Sequence, residues 1–256
     1  MVLKRSLVSV TLVAALVTTA AACNGDAGKA TTPPSTTTTS QTPTPSDTPS
    51  SAASATPSVV TPPAAKPRTK AELTKALLAL SDLPAGLSVD DSSEEDGSKL
   101  SSKDAGCKDL VTLFNAHPSP GAKAFAERSF TGGQSGPFFD ETLDAMGSPA
   151  AVTALLSRTR TAIKSCKQAK LTIPGVGSST MAVSEIAAPK VGTSPVGARF
   201  TADGGALDGL EAVFLFTGLD DVALAMSFDS ADGIEEALGA AAAKAKKVLG
   251  TAKSGT

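Results

Sequence analysis

The chain has 256 residues, with 23 lysines and arginines against 25 aspartates and glutamates and a formal net charge of −2. That near balance, with no basic patch interleaved with aromatics, argues against a nucleic-acid partner. Tryptophan and tyrosine are both absent, which removes side chains that dominate tight interfaces and sugar-binding platforms.

Met1 to Ala22 has a short positive start (Lys4, Arg5), an apolar stretch from Leu7 to Val17 and a small-residue exit, the three parts of a secretory signal. The apolar stretch falls short of the roughly 20 residues that a membrane-spanning helix needs. Ala20-Ala21-Ala22-Cys23 resembles a bacterial lipobox, with Ala20 where leucine is commonest. Cleavage would make Cys23 the first mature residue and load it with lipid, mooring the protein to the outer face of the cell membrane. The alternative is an ordinary Ala-x-Ala cleavage that leaves Cys23 as a free thiol. From Thr31 to Pro67, in the linker that follows Cys23, the chain is nearly all Thr, Ser, Pro and Ala. It has too little apolar surface to offset the entropy of ordering, and its prolines favour an extended spacer reaching up to about 100 Å. Its threonines suit O-glycosylation by composition alone.

Residues 68–252 are long enough for one folded domain, leaving 253–256 as a tail. Thr69-Lys70-Ala71-Glu72 forms a capping box that predicts a helix running to about Ser81. Cys107, Leu110, Val111 and Phe114 recur at helical spacing within 103–115. Ser148 followed by Pro149 predicts the start of a helix that presents Val152, Leu155, Leu156, Ile163 and Cys166 on one side. Asp232 and Glu235 open the last helix, whose stripe is Ile234, Leu238, Ala241, Ala245 and Val248. Period-two alternation predicts a hairpin from "LEAVFLF" and "VALAMSF", with weaker strands at "AKAFAERSF", "PFFDETLDAM", "STMAVSEIA" and "VGARFTA". Strands in neighbouring runs favour an α+β fold: an antiparallel sheet of about five to six strands with helices packed on one face.

Two cysteines remain in the domain. In an exported chain, Cys107 and Cys166 most simply form one disulfide, closing a loop of about sixty residues and stabilising by roughly 4 kcal/mol. Metal or redox use fits poorly, because the pair lacks C-x-x-C spacing and a neighbouring histidine.

Few motifs point to catalysis. His117 sits in "NAHPSPG", whose prolines suggest a surface turn, and a lone histidine there is more often solvated than catalytic. "GGQSG" has Pro137 where a nucleophile elbow needs glycine, and "GVGSST" lacks the ending of a phosphate loop. The acidic run from Asp90 to Gly97 fails calcium-loop spacing, since Lys103 falls where the closing glutamate belongs. No catalytic residue, cofactor or metal is therefore expected. Phe138 and Phe139 are adjacent and would point to opposite faces of a strand, so one of them is a candidate to line a groove between sheet and helices.

The stretch "ALLALSDLPAGLSV", the downstream Cys107, the helix ending in Cys166 and the closing hairpin and helix resemble the PknH-like extracellular sensor domain family and related actinobacterial surface lipoproteins. The recognisable phrase is "ALLxxxDLPAG". The resemblance implies a non-enzymatic sensor-like module. It also implies two disulfides, whereas the cysteines here make one. The expected function is ligand binding by a membrane-anchored, extracytoplasmic lipoprotein that engages a small apolar ligand. The alternative is a structural lipoprotein contacting an envelope protein or cell-wall polymer.

Overall fold

A computed structural model describes residues 67–90, 97–133, 136–230 and 233–252. The signal segment, Cys23 and the linker up to Lys66 lie outside these residues, as do positions 91–96 of the acidic run, Gln134, Ser135 and Asp232.

The first helix, α1 (Lys70–Ala76), starts at the expected box: the Thr69 backbone N–H donates to Glu72 Oε2 at 2.6 Å, and the Glu72 N–H donates to Thr69 Oγ1. It stops five residues earlier than the pattern predicts. Leu77 turns extended, Leu78 follows it into the core, and a 3-10 turn covers Leu80–Asp82. Leu73, Leu77 and Leu78 are all fully buried, and leaving the helix lets the last of them reach the sheet. The chain continues through β1 (Ser88–Val89) and β2 (Lys99–Ser101) to α2 (Lys108–Phe114), which a 3-10 turn at Ala105–Cys107 precedes. Then come β3 (Ala124–Thr131), β4 (Phe138–Ala145) and α3 (Pro149–Ser165), whose N-cap Ser148 accepts from the Ala151 N–H. Five strands follow in succession, β5 (Gln168–Ile173), β6 (Gly177–Ile186), β7 (Thr193–Asp203), β8 (Glu211–Leu219) and β9 (Val222–Phe228), and α4 (Ile234–Ala252) closes the domain.

The fold is α+β with an antiparallel sheet, as the grouping of strands predicts, but the described residues form nine strands rather than five to six. Their order is β1-β3-β4-β9-β8-β7-β6-β5-β2. A meander from β5 to β9 brings β9 back beside β4, with α3 carrying the chain across. The edges are strands of two and three residues, and β1 pairs only with Phe130 and Thr131 at the end of β3.

The expectation that helices cover one face is corrected: they pack on both. Ala212 and Phe214 of β8 join the core under α2 and α3, while Val213 and Leu215 of the same strand join the core under α1 and α4. A strand buried on both sides must be apolar in both phases, as "AVFLF" is. Phe114 plugs α2 onto the sheet, with its ring centroid 4.9 Å from Phe200, 5.1 Å from Phe214 and 5.8 Å from Phe216. The buried Arg68 pairs with buried Asp221 at 3.1 Å and donates to the Leu249 carbonyl at 2.7 Å. This contact ties the entry to α1 to the β8–β9 turn and to the end of α4.

Cys107 and Cys166 form a disulfide. Both are fully buried, and the bond fastens the start of α2 to the end of α3. No helix among the described residues is long and apolar enough to cross a membrane.

Candidate functional site

An apolar cleft of about 160 Å³ lies where the first half of α4 approaches the ends of β4 and β9. One wall is Leu83, Pro84 and Leu87, from the segment after α1. This is the "DLPAGL" part of the phrase that carries the family resemblance. The opposite wall is Ala237 and Ala240 of α4, whose small side chains leave the space open. Phe138, Phe139 and Phe228 line the cleft from the sheet.

The two adjacent phenylalanines both reach this cleft because it wraps round the end of β4, where Phe138 is the first residue of the strand. Phe139 is the anchored one: its ring stacks 4.7 Å from Phe130 and 5.8 Å from Phe228, and it is nearly buried. Phe138 is held by its backbone, whose N–H donates to Asp229 Oδ1 at 3.1 Å. A glycine is required just before them. At Gly136, with φ +78°, a Cβ would lie 2.7 Å from Asp229 Oδ2 and 3.1 Å from the Phe138 ring.

The rim is acidic. Asp82, Asp229 and Glu236 all border the cleft. Asp82 is paired with Lys244, and that hydrogen bond holds its carboxyl below the usual range. Glu236 is exposed.

A second, smaller pocket of about 50 Å³ lies on the other face, beneath α2 and α3. His117 borders it, so the structure differs from the solvated surface turn suggested by its prolines. Its Nε2 lies 2.7 Å from Glu127 Oε2 and its ring meets Phe125 edge-on at 5.1 Å. The imidazole holds Glu127 below the ordinary carboxylate range. Ser119, the neighbouring hydroxyl, is directed to the Asp144 carboxylate through both its side chain and its backbone N–H.

β4 carries acids in both phases, a feature that sequence reading passed over. Glu141 faces α1 and is fully buried. Its Oε2 accepts from the Leu78 N–H at 2.7 Å, and its Oε1 has no hydrogen-bond partner. Arg128, paired with it across the β3–β4 register, donates to the Leu78 carbonyl. The two side chains thus grip both polar groups of Leu78, the residue that leads into the cleft wall. Desolvation pushes Glu141 up to about 7, and burial also raises Asp140 and Asp144. The signal was visible as three acids in the strand "FFDETLDA".

Among the described residues no cluster of three or more His, Cys, Asp or Glu side chains could hold a metal ion. The sequence matches no protein-family model and no curated protein. Among solved structures it has a distant likeness to the extracellular domain of PknH from Mycobacterium tuberculosis, at a TM-score of 0.49 and 12% identity over 72% of this chain and 98% of that one.

Proposed function

We propose that the protein is a non-enzymatic binding module, moored through a lipid on Cys23 to the extracytoplasmic face of the cell membrane, whose ligand enters the cleft between α4 and the sheet. The observation that carries this reading is the cleft itself, an apolar space of about 160 Å³ walled by phenylalanine, leucine and proline. Its size decides the ligand class. An apolar cavity of roughly 150 Å³ accepts benzene, whereas drug-sized ligands need about 300 Å³ or more. The cleft therefore takes an aromatic ring or the end of an acyl chain, with the rest of the ligand outside. Burying four to six methylenes at about 0.8 kcal/mol each gives some 3–5 kcal/mol, an affinity near the millimolar range. The acidic rim selects further, because a carboxylate headgroup would sit beside Glu236 and Asp229.

Titration of the ¹⁵N-labelled mature chain with n-hexanol and with hexanoate tests this. Hexanol is expected to give saturable amide shifts at Phe228, Ala237 and Ala240, with hexanoate binding several-fold more weakly. Ala237→Phe, which fills the space, is expected to abolish both responses. Shifts that never saturate, or that persist unchanged in the filled variant, would refute the cleft as a binding site.

A further inference from the structure

We infer that the pocket under α2 and α3 is a second, independent binding site, one that takes the primary ammonium group of a small apolar amine. The carrying observation is Asp144. Its residue is 2% exposed, it lines the pocket, and its Oδ1 has no hydrogen-bond partner among the described residues. Ser119 supplies the carboxylate with donors, yet that oxygen remains unmatched. A buried acceptor without a donor is costly, and a ligand that brings a donor recovers that cost on binding.

The surroundings favour a cation over a neutral donor. No lysine or arginine lines the pocket, and the one basic side chain there, His117, is occupied by Glu127 at 2.7 Å. Burial pushes the Asp144 carboxyl up, and the Ser119 hydrogen bonds and the nearby His117 offset this only in part. Phe114 and Phe216 stand in the wall, their ring centroids 5.8 Å apart, and aromatic faces attract a desolvated ammonium. The space of about 50 Å³ admits an ammonium and a carbon or two, so the rest of an alkyl tail must lie outside it. Calcium and magnesium do not suit it, since they demand about six or more oxygen ligands and most of this wall is apolar.

The test is titration of the ¹⁵N-labelled mature chain with n-butylammonium, n-butanol and butyrate. Butylammonium is expected to shift the amides of Ser119, Thr142 and Phe216 saturably and to bind at least tenfold more tightly than butanol, while butyrate leaves those amides unmoved. Asp144→Asn keeps the size and the Ser119 contacts and is expected to erase the tenfold preference. Equal binding of amine and alcohol to the wild-type chain would overturn the site without recourse to any variant, as would absence of shifts at these residues. Shifts confined to Phe228 and Ala237 would place the amine in the α4 cleft and refute this pocket alone.

Discussion

Replacing Cys107 and Cys166 together by alanine is expected to lower the unfolding free energy by about 4 kcal/mol, the chain-entropy value for a loop of this length. The bridged residues are 59 apart, and the loop between them contains α2, β3, β4 and α3. The effect should also be local. α2 has seven residues, well below the roughly 12–15 at which an isolated helix becomes even marginally stable. It is held by Phe114 at one end and by the disulfide at the other. Without the bond, α2 should fray first and expose the phenylalanines beneath it. Urea denaturation followed by circular dichroism measures the loss. For a slope of about 2 kcal/mol per molar, the midpoint should fall by about 2 M. A fall equivalent to less than about 1 kcal/mol would mean that the bond adds little.

The second large effect is on pH. Glu141 has a folded pKa of about 7, raised from 4.5 by desolvation. Between those values the native state holds a proton that the unfolded chain has released, so stability falls as pH rises from about 5 to 8. A shift of this size corresponds to about 3 kcal/mol across the window. Asp140 and Asp144 are raised as well and act in the same direction. Glu127 and Asp82 are lowered and act oppositely, with their contribution lost only as pH falls through the acid range. Glu141→Gln retains an acceptor for the Leu78 N–H and removes the charge. It is expected to stabilise the protein at pH 8 and to flatten most of the slope. Unfolding free energies measured at pH 5, 6, 7 and 8 give the answer. A wild-type profile that is level or rises with pH contradicts the assignment.

Local signals in the sequence carried through to the structure where a short-range contact decides the geometry. The Thr69–Glu72 box, Ser148 before Pro149, and the alternation in "LEAVFLF" and "VALAMSF" each mark an element that forms. The departures arise where distant contacts decide. α1 ends early because Leu78 is drawn to the sheet by Glu141 and Arg128, partners 63 and 50 residues away. β5 alternates Ala169, Leu171 and Ile173, but only two residues separate it from α3, so its period is hidden by the helix. β1 and β2 are too short to show any period. Helices on both faces were foreshadowed by Val213 and Leu215, apolar in the phase that a one-sided sheet would leave polar.

The candidate site was legible in the same uneven way. Phe138 and Phe139 stood out as adjacent aromatics on a strand, and both lie in the cleft. Its far wall, Ala237 and Ala240, is made of residues whose importance is their smallness, which no motif announces. Asp144 and Glu141 matter because they are buried, and only the packing of helices over both faces buries them.

Native mass spectrometry of the protein extracted from its own host's membranes tests the central claim most directly. The account predicts a chain that begins at Cys23, carries covalent acyl mass and releases a small apolar molecule on gentle activation. A chain with its leader intact and no lipid, or a lipidated domain that is always empty and emerges with a protein partner, would contradict it.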